Sequence, residues 1–144
     1  MSRTLPHHVW EAVAQLACDI TNASGRNQHA LAKRRYRELE AYTNEQIRHR
    51  RSHPFLLETL ADFTEGNYKA VSLYRRALRL STRLGEPKQS ILLELARRNI
   101  AVPRRRAVAR RYLTAALAEA RRRLDRDVVK QAAQLLRATE ELAT

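Results

Sequence analysis

A repeat with a period of 38 residues runs through most of this 144-residue chain. Three tyrosines mark it, and an apolar residue lies four positions before each of them: Ala32 and Tyr36, Ala70 and Tyr74, Val108 and Tyr112. Another apolar residue follows each tyrosine by three positions. Spacings of three and four residues place these side chains on one face of a helix. A period of this length predicts stacked helical units, each burying its apolar face against the next.

Glycine and proline indicate where helices end and begin in this chain, which contains only three glycines and four prolines. Gly25, Gly66 and Gly85 each follow an apolar-periodic stretch, where a left-handed residue commonly ends a helix. Each proline precedes such a stretch, where its φ suits the first helical turn. The sequence therefore predicts seven helices, at about 6–23, 26–50, 54–64, 67–84, 87–100, 103–123 and 125–142. No segment alternates apolar and polar residues as a strand does, so the predicted fold is all-α.

Two kinds of helix alternate along the chain. The second, fourth and sixth helices (B helices) carry the tyrosine pattern. The first, third and fifth (A helices) carry a Leu-Ala pair, at Leu16-Ala17, Leu60-Ala61 and Leu95-Ala96. Pairing each A helix with the next B helix predicts three repeat units, at about 6–50, 54–84 and 87–123. The last helix, at about 125–142, has no partner after it and is predicted to cap the exposed end of the array.

The middle repeat unit resembles a tetratricopeptide repeat. The residues that carry the resemblance are Leu60-Ala61, Gly66-Asn67-Tyr68, Ala70, Tyr74, Ala77-Leu78 and Pro87. The likeness extends over most of residues 8–123, although the period of 38 exceeds the family's value of about 34. It implies a single domain over 1–144, a right-handed α-solenoid of three helix-turn-helix units and a C-terminal capping helix. In that family the A helices line a concave groove and the B helices form the outer back.

Positive charge is concentrated on alternate helices. The net charge is +13, and the segments 25–52, 67–85 and 102–124, which contain the B helices, carry +5, +5 and +7, while the remaining segments together carry −4. The candidate anion-binding arginines on the B helices are Arg76, Arg79, Arg83, Arg104, Arg105, Arg106, Arg110 and Arg111. Such a surface suits an anionic partner, although ordinary solvent-exposed helix faces also carry charges of this kind.

The resemblance points to protein binding in the groove. Charged residues beside the Leu-Ala pairs are the candidate groove residues, namely Glu58, Asp62 and Arg97. A neutral to mildly acidic groove suits an amphipathic helix or an extended segment with some positive charge. Trp10, the only tryptophan, is expected to pack in the fold; an exposed Trp10 would instead mark an interface. The leading hypothesis is a non-enzymatic adaptor or chaperone that holds a peptide or helix of a partner protein.

Two other functions remain open from the sequence. The alternative is a nucleic-acid-associated basic protein that binds RNA or DNA through the arginines of its B helices. Against it, the chain contains no recognised nucleic-acid motif, and its aromatic residues do not interleave with these arginines. A self-assembling structural subunit, a homo-oligomer, is the third hypothesis.

Motifs for catalysis or metal binding are absent from the sequence. It has no glycine-rich phosphate loop, no paired cysteines and no His-Glu-x-x-His, so neither an enzyme nor a cofactor or metal is expected. His49 and His53 are four residues apart, but Ser52 and Pro54 interrupt the helix, which predicts a pair of loop histidines. A single cysteine favours a reducing compartment. Without a signal peptide or a long apolar run, the chain is expected to be soluble, cytoplasmic and not bound to a membrane.

Overall fold

The computed structural model describes residues 4–142, which contain seven α-helices and no strand. The helices are α1 (His7–Gly25), α2 (His29–Arg48), α3 (Pro54–Asp62), α4 (Asn67–Leu84), α5 (Gln89–Ile100), α6 (Arg106–Arg122) and α7 (Arg126–Leu142). A short 3₁₀ turn, Pro103–Arg105, leads into α6. The predicted all-α class and the seven helices are confirmed, and no predicted helix end differs from the observed one by more than three residues.

The chain forms two compact units, and the boundary between them falls at Leu80 and Ser81, inside α4. In the N-terminal unit α1 packs along α2, and α3 contacts both of them. In the C-terminal unit α5 packs along α6, and α7 contacts both of them. Each unit therefore contains a helical hairpin followed by a helix that touches both members of the hairpin.

Small residues let the helices of the N-terminal unit pack closely. Ala61 on α3 and Ala70 and Ala77 on α4 are completely buried, and so are Leu39 on α2 and Leu56 on α3. Burying one leucine side chain stabilises the fold by roughly 1.5–3 kcal/mol. The apolar face that the sequence pattern predicts for α4 is thus buried in the core.

The repeat tyrosines of the N-terminal unit hydrogen-bond near the end of α3 but are not equally buried. Tyr74 is completely buried, and its hydroxyl donates to Asp62 Oδ1 at 2.5 Å. Tyr36 is half-buried, as is Ala32 one turn before it, and its hydroxyl oxygen lies 2.9 Å from Thr64 Oγ1. The two rings therefore bond to neighbouring parts of the chain while differing in how far the surrounding helices cover them.

In α6 the buried side chains lie one residue later in the sequence than the 38-residue repeat predicts. The completely buried apolar residues of this helix are Ala109, Leu113, Ala116 and Ala120. Val108 and Tyr112, which the repeat aligns with Ala70 and Tyr74, are half-buried. A shift of one residue corresponds to a rotation of α6 by about 100° about its axis. Leucine also needs no hydrogen-bond partner when buried, whereas a tyrosine hydroxyl does.

The three B helices end in the same way, with one residue in the left-handed conformation. Arg50 after α2, Gly85 after α4 and Leu124 after α6 have φ values of +59°, +69° and +59°. In each case the next N–H bonds to a carbonyl five residues earlier, at 2.8–2.9 Å. This ending favours glycine, because left-handed backbone costs other L-residues about 1–2 kcal/mol.

Two of the three predicted glycine helix ends were wrong. Gly25 is the last residue of α1, and the left-handed residue there is Asn27. Gly66 lies at the start of a helix, where its carbonyl oxygen accepts a hydrogen bond from the Ala70 N–H at 2.9 Å. Asparagine tolerates the left-handed region through its short polar side chain, so a helix end does not require glycine.

Glu119 is a buried carboxylate on α6 that two arginines neutralise. Its side chain is only 7% exposed, and it accepts hydrogen bonds from Arg122 Nη2 at 2.8 Å and from Arg123 Nε at 3.0 Å. Arg123 also donates to the Gly85 carbonyl oxygen at 3.4 Å. Burial alone raises the pKa of Glu119, but the hydrogen bonds and charges of the two arginines outweigh burial and lower that pKa from its usual 4.5.

Leu124→Gly is expected to raise the free energy of unfolding by about 1 kcal/mol. Leu124 is 85% exposed and left-handed, so glycine removes backbone strain and gives up little burial. The matched control is Ala118→Gly, at an exposed position inside α6, which is expected to destabilise by about 0.5–1 kcal/mol. Denaturant unfolding measures the free energy of unfolding of both variants. If Leu124→Gly is destabilised as much as the control, Leu124 does not have the left-handed conformation.

Glu119→Gln is expected to lower the free energy of unfolding by about 1–3 kcal/mol at neutral pH, since hydrogen bonds to a charged group are lost. Because the folded pKa lies below the unfolded one, the Glu119 carboxylate stabilises the fold above pH 4.5, and this contribution disappears as the pH falls through the folded pKa. Below pH 4.5 the free energy of unfolding of the variant should therefore decrease less steeply than that of the unchanged chain. Glu65→Gln, at an exposed position, is the control, and equal effects would contradict this role of Glu119.

Candidate functional site

Ring stacking joins α1 to α3 at the surface of the N-terminal unit. The ring centroids of Trp10 and Phe55 are 6.1 Å apart with planes inclined by 20°. The His7 ring lies 6.4 Å from that of Trp10 at 9°. Trp10 is 48% exposed and Phe55 is half-buried. An aromatic surface of this kind remains partly in water although neighbouring rings hold it in place.

The starts of the two helices set the positions of these rings. At the start of α1 the Pro6 carbonyl oxygen accepts a hydrogen bond from the Trp10 N–H at 3.1 Å. At the start of α3 Pro54 occupies the first helical position, and the Phe55 N–H donates to His53 Nδ1 at 3.1 Å. Trp10 and Phe55 thus both lie in first turns that local hydrogen bonds hold, so both rings have defined backbone positions.

Acidic residues accompany the two rings. The segments 4–24 and 53–66 contain five carboxylates and no lysine or arginine, in a chain whose net charge is +13. Spacings of three and four residues place Glu58 and Asp62 on the same side of α3 as Phe55, and Ala14 one turn after Trp10 on α1. We call these five residues, Trp10, Ala14, Phe55, Glu58 and Asp62, the α1–α3 face. A shallow depression of about 560 Å³ lies along α1 beside Trp10.

The predicted groove residues are divided between the two compact units. Glu58 is half-buried and Asp62 is exposed, and both belong to the α1–α3 face of the N-terminal unit. Asp62 also accepts the hydroxyl hydrogen bond of Tyr74, so it supports the fold as well. Arg97 lies on α5 in the C-terminal unit, where it hydrogen-bonds to Gln131 of α7.

Sequence reasoning missed the aromatic part of this face. It assigned Trp10 to packing inside the fold, and it did not single out Phe55. The structure leaves about half of Trp10 exposed, which is the condition under which the sequence analysis expects an interface. The available signal was the composition around the two rings, because the surrounding segments lack lysine and arginine in a chain that contains 28 of these residues.

A row of exposed residues follows the outer side of α4. It begins with Tyr68, which is 91% exposed, and continues through Ser72 to Arg75, Arg76 and Arg79. Arg75 and Arg76 are adjacent, and the other successive positions are three or four residues apart, so all five lie within about 100° on one side of the helix. We call them the α4 row. The segment 67–85 contains five basic residues and no acidic one, so no carboxylate within it neutralises the row.

The other candidate anion-binding arginines have varied surroundings. Arg83, Arg104, Arg105 and Arg111 are exposed. Arg110 is exposed too, with Nη2 lying 3.6 Å from Glu140 Oε1 of α7. Arg106 is half-buried, and its Nε is buried without a hydrogen-bond partner. The cluster at residues 104–111 is therefore partly engaged in the fold of the C-terminal unit.

Lys69 attaches the start of α4 to α2. It forms an ion pair with Glu40, and its ammonium nitrogen lies 5.8 Å from the centroid of the Tyr36 ring. The hydrogen bond to Glu40 raises the pKa of Lys69 from its usual 10.5, because the carboxylate stabilises the charged ammonium. This contact holds the backbone next to Tyr68 while leaving the Tyr68 ring in solvent.

The histidine pair makes local contacts. His49 Nε2 lies 2.8 Å from Glu45 Oε1, and His53 Nδ1 accepts the Phe55 N–H. Among residues 4–142 no group of three or more His, Cys, Asp or Glu side chains could hold a metal ion. In the same part of the chain, no helix combines the length and apolar character that crossing a membrane requires.

The chain matches no protein-family model, no curated protein and no solved structure with which it was compared. The α1–α3 face and the α4 row are therefore the basis on which a function can be proposed.

Proposed function

We propose that the chain is a non-enzymatic protein-interaction module, an adaptor or chaperone, that binds a segment of a partner protein on the α1–α3 face. The observation that carries the proposal is the half-exposed Trp10 stacked on Phe55. Tryptophan is enriched among the few residues that dominate binding energy at protein interfaces. A large ring that neighbouring rings already hold in place loses little conformational freedom on binding, so much of its burial would appear as affinity.

The proposal includes a tetratricopeptide-like solenoid as the scaffold. Stacked A and B helices would give the contacts found within each compact unit, where a hairpin is followed by a helix that touches both of its members. In this scheme α1 and α3 are A helices. The α1–α3 face would then belong to the concave side, on which such arrays bind partners.

Charge suggests which partner segment fits. Five carboxylates and no lysine or arginine lie in the segments around α1 and α3, which favours a ligand with basic residues. At physiological ionic strength charges separated by more than about 8 Å are largely screened, so the charges nearest the two rings count most. They include Arg50 and Arg51, which line a pocket with Pro6 and His53 where α1 and α3 begin. A basic ligand is therefore expected to lie along Glu58 and Asp62 at the other end of α3. A partner helix with apolar anchors at i, i+3 or i+4 and i+7, flanked by lysine or arginine, would satisfy both features.

Trp10→Ala is expected to weaken partner binding about 30-fold or more, because truncating a dominant interface residue costs at least about 2 kcal/mol. The tagged chain and the variant are used to capture and identify partners from the source cell, and affinities are then measured with the purified partner. Leu142→Ala is the matched control, since Leu142 is also a large apolar residue, 56% exposed, in the C-terminal unit. If the Trp10→Ala and Leu142→Ala variants bind the partner with equal affinity, the proposal is contradicted.

Glu58→Lys combined with Asp62→Asn is expected to weaken binding of a basic partner segment by about 3- to 10-fold, since exposed ion pairs contribute up to about 1 kcal/mol each. Asparagine is chosen at position 62 because its carbonyl oxygen can still accept the Tyr74 hydroxyl. Glu65→Lys, at an exposed position after α3, is the control.

The fluorescence of Trp10 reports binding, because Trp10 is the chain's only tryptophan and a partner segment without tryptophan adds no emission of its own. Protection of that emission from acrylamide measures the affinity of the unchanged chain and of the variants at positions 58, 62 and 65, all of which retain Trp10. Unchanged affinity in the Glu58 and Asp62 variant would refute the basic ligand while leaving the role of Trp10 in place.

A further inference from the structure

Tyr68 has no evident role in the packing of the fold. At 91% exposure it buries almost none of its ring, whereas the repeat tyrosines are buried or half-buried. It lies at the second position of α4, and the contact of its neighbour Lys69 with Glu40 holds the backbone there. The result is an aromatic ring presented to solvent from a fixed helical position.

Exposed arginines continue from this ring along the helix. Arg75, Arg76 and Arg79 follow Tyr68 on the same side of α4. At 1.5 Å per residue the row extends about 16 Å from Tyr68 to Arg79. No acidic residue occurs in the segment 67–85, so no carboxylate of α4 itself offsets the charge of these three guanidinium groups.

A flat ring beside a strip of arginines is the combination that single-stranded nucleic acids bind. Their bases are free to stack on an aromatic side chain, which contributes about 1–3 kcal/mol per base, while arginines follow the phosphates. In a duplex both faces of each base are already covered, so a tyrosine would find no face to stack on. An acidic protein would use the arginines but would give the exposed ring no partner.

We infer that the α4 row binds single-stranded nucleic acid, with Tyr68 stacking on a base and Arg75, Arg76 and Arg79 contacting phosphates. Tyr68 does not interleave with the arginines but lies at one end of their row, about two helical turns before Arg75. This function is independent of the proposed binding of a protein on the α1–α3 face, so each can fail without the other.

The test is fluorescence anisotropy with a labelled oligothymidylate of about 16 nucleotides, the upper end of usual site sizes. The full chain is expected to bind, and the logarithm of its affinity should fall linearly with the logarithm of salt concentration, by about 0.7 for each phosphate neutralised. Replacing Arg75, Arg76 and Arg79 together by glutamine should reduce that slope by about 2.

Tyr68→Ala is expected to weaken binding about 5- to 100-fold, the loss of one stacked base, while leaving the salt slope unchanged. Tyr68→Phe keeps the ring and should restore the affinity. Trp10→Ala is the matched aromatic control and should bind as the unchanged chain does, because Trp10 belongs to the α1–α3 face.

Replacing Arg104, Arg105 and Arg111 by glutamine removes the same charge from other exposed positions. If this control lowers affinity and slope as much as the α4 variant, binding follows net charge and the inference is overturned. It is equally overturned if Tyr68→Ala binds normally, if the chain shows no binding at low salt, or if it prefers a duplex of equal length or polyglutamate. All these variants replace exposed side chains, so each is expected to fold.

Discussion

Each helix of this protein has one apolar face, and a neighbouring helix must cover that face. In the N-terminal unit the helices pack closely because the small side chains of Ala61, Ala70 and Ala77 are completely buried between them. The Tyr74 ring, also completely buried, fills the remaining space. A buried polar group without a hydrogen bond costs free energy, and the Tyr74 hydroxyl avoids that cost by donating to Asp62. The same requirement explains Glu119, whose carboxylate is buried only because Arg122 and Arg123 donate to it.

The surfaces follow from what this packing leaves uncovered. The B helices turn their apolar residues inward, so their arginines are displayed outward in rows such as Arg75, Arg76 and Arg79. Around α1 and α3 the segments carry acidic residues instead, and the rings of Trp10 and Phe55 are only partly covered where these two helices meet. The two surfaces differ in charge and in the aromatic ring they present, which is the physical basis for assigning them different partners.

Particular residues show how far sequence reasoning reached. Seven helices followed from apolar spacing and from the positions of proline, because both act within a few residues of chain. The half-buried position of Tyr112 did not follow, since α6 buries Leu113 instead and the rotation of a helix about its axis depends on the helices packed against it. The exposure of Trp10 could not be derived either, because an apolar side chain on a helix is equally compatible with a core and with a surface.

The sequence by itself determined the all-α class, the approximate helix ends and the concentration of positive charge on alternate helices. These depend on local backbone preferences and on composition, which need no knowledge of distant contacts. Only the tertiary structure decided which tyrosine is completely buried, which carboxylate is neutralised inside the fold, and that Tyr68 and Trp10 remain in solvent. Those outcomes depend on the rotation of each helix about its axis, because a shift of one residue turns a helix by about 100° and exchanges a buried side chain for an exposed one.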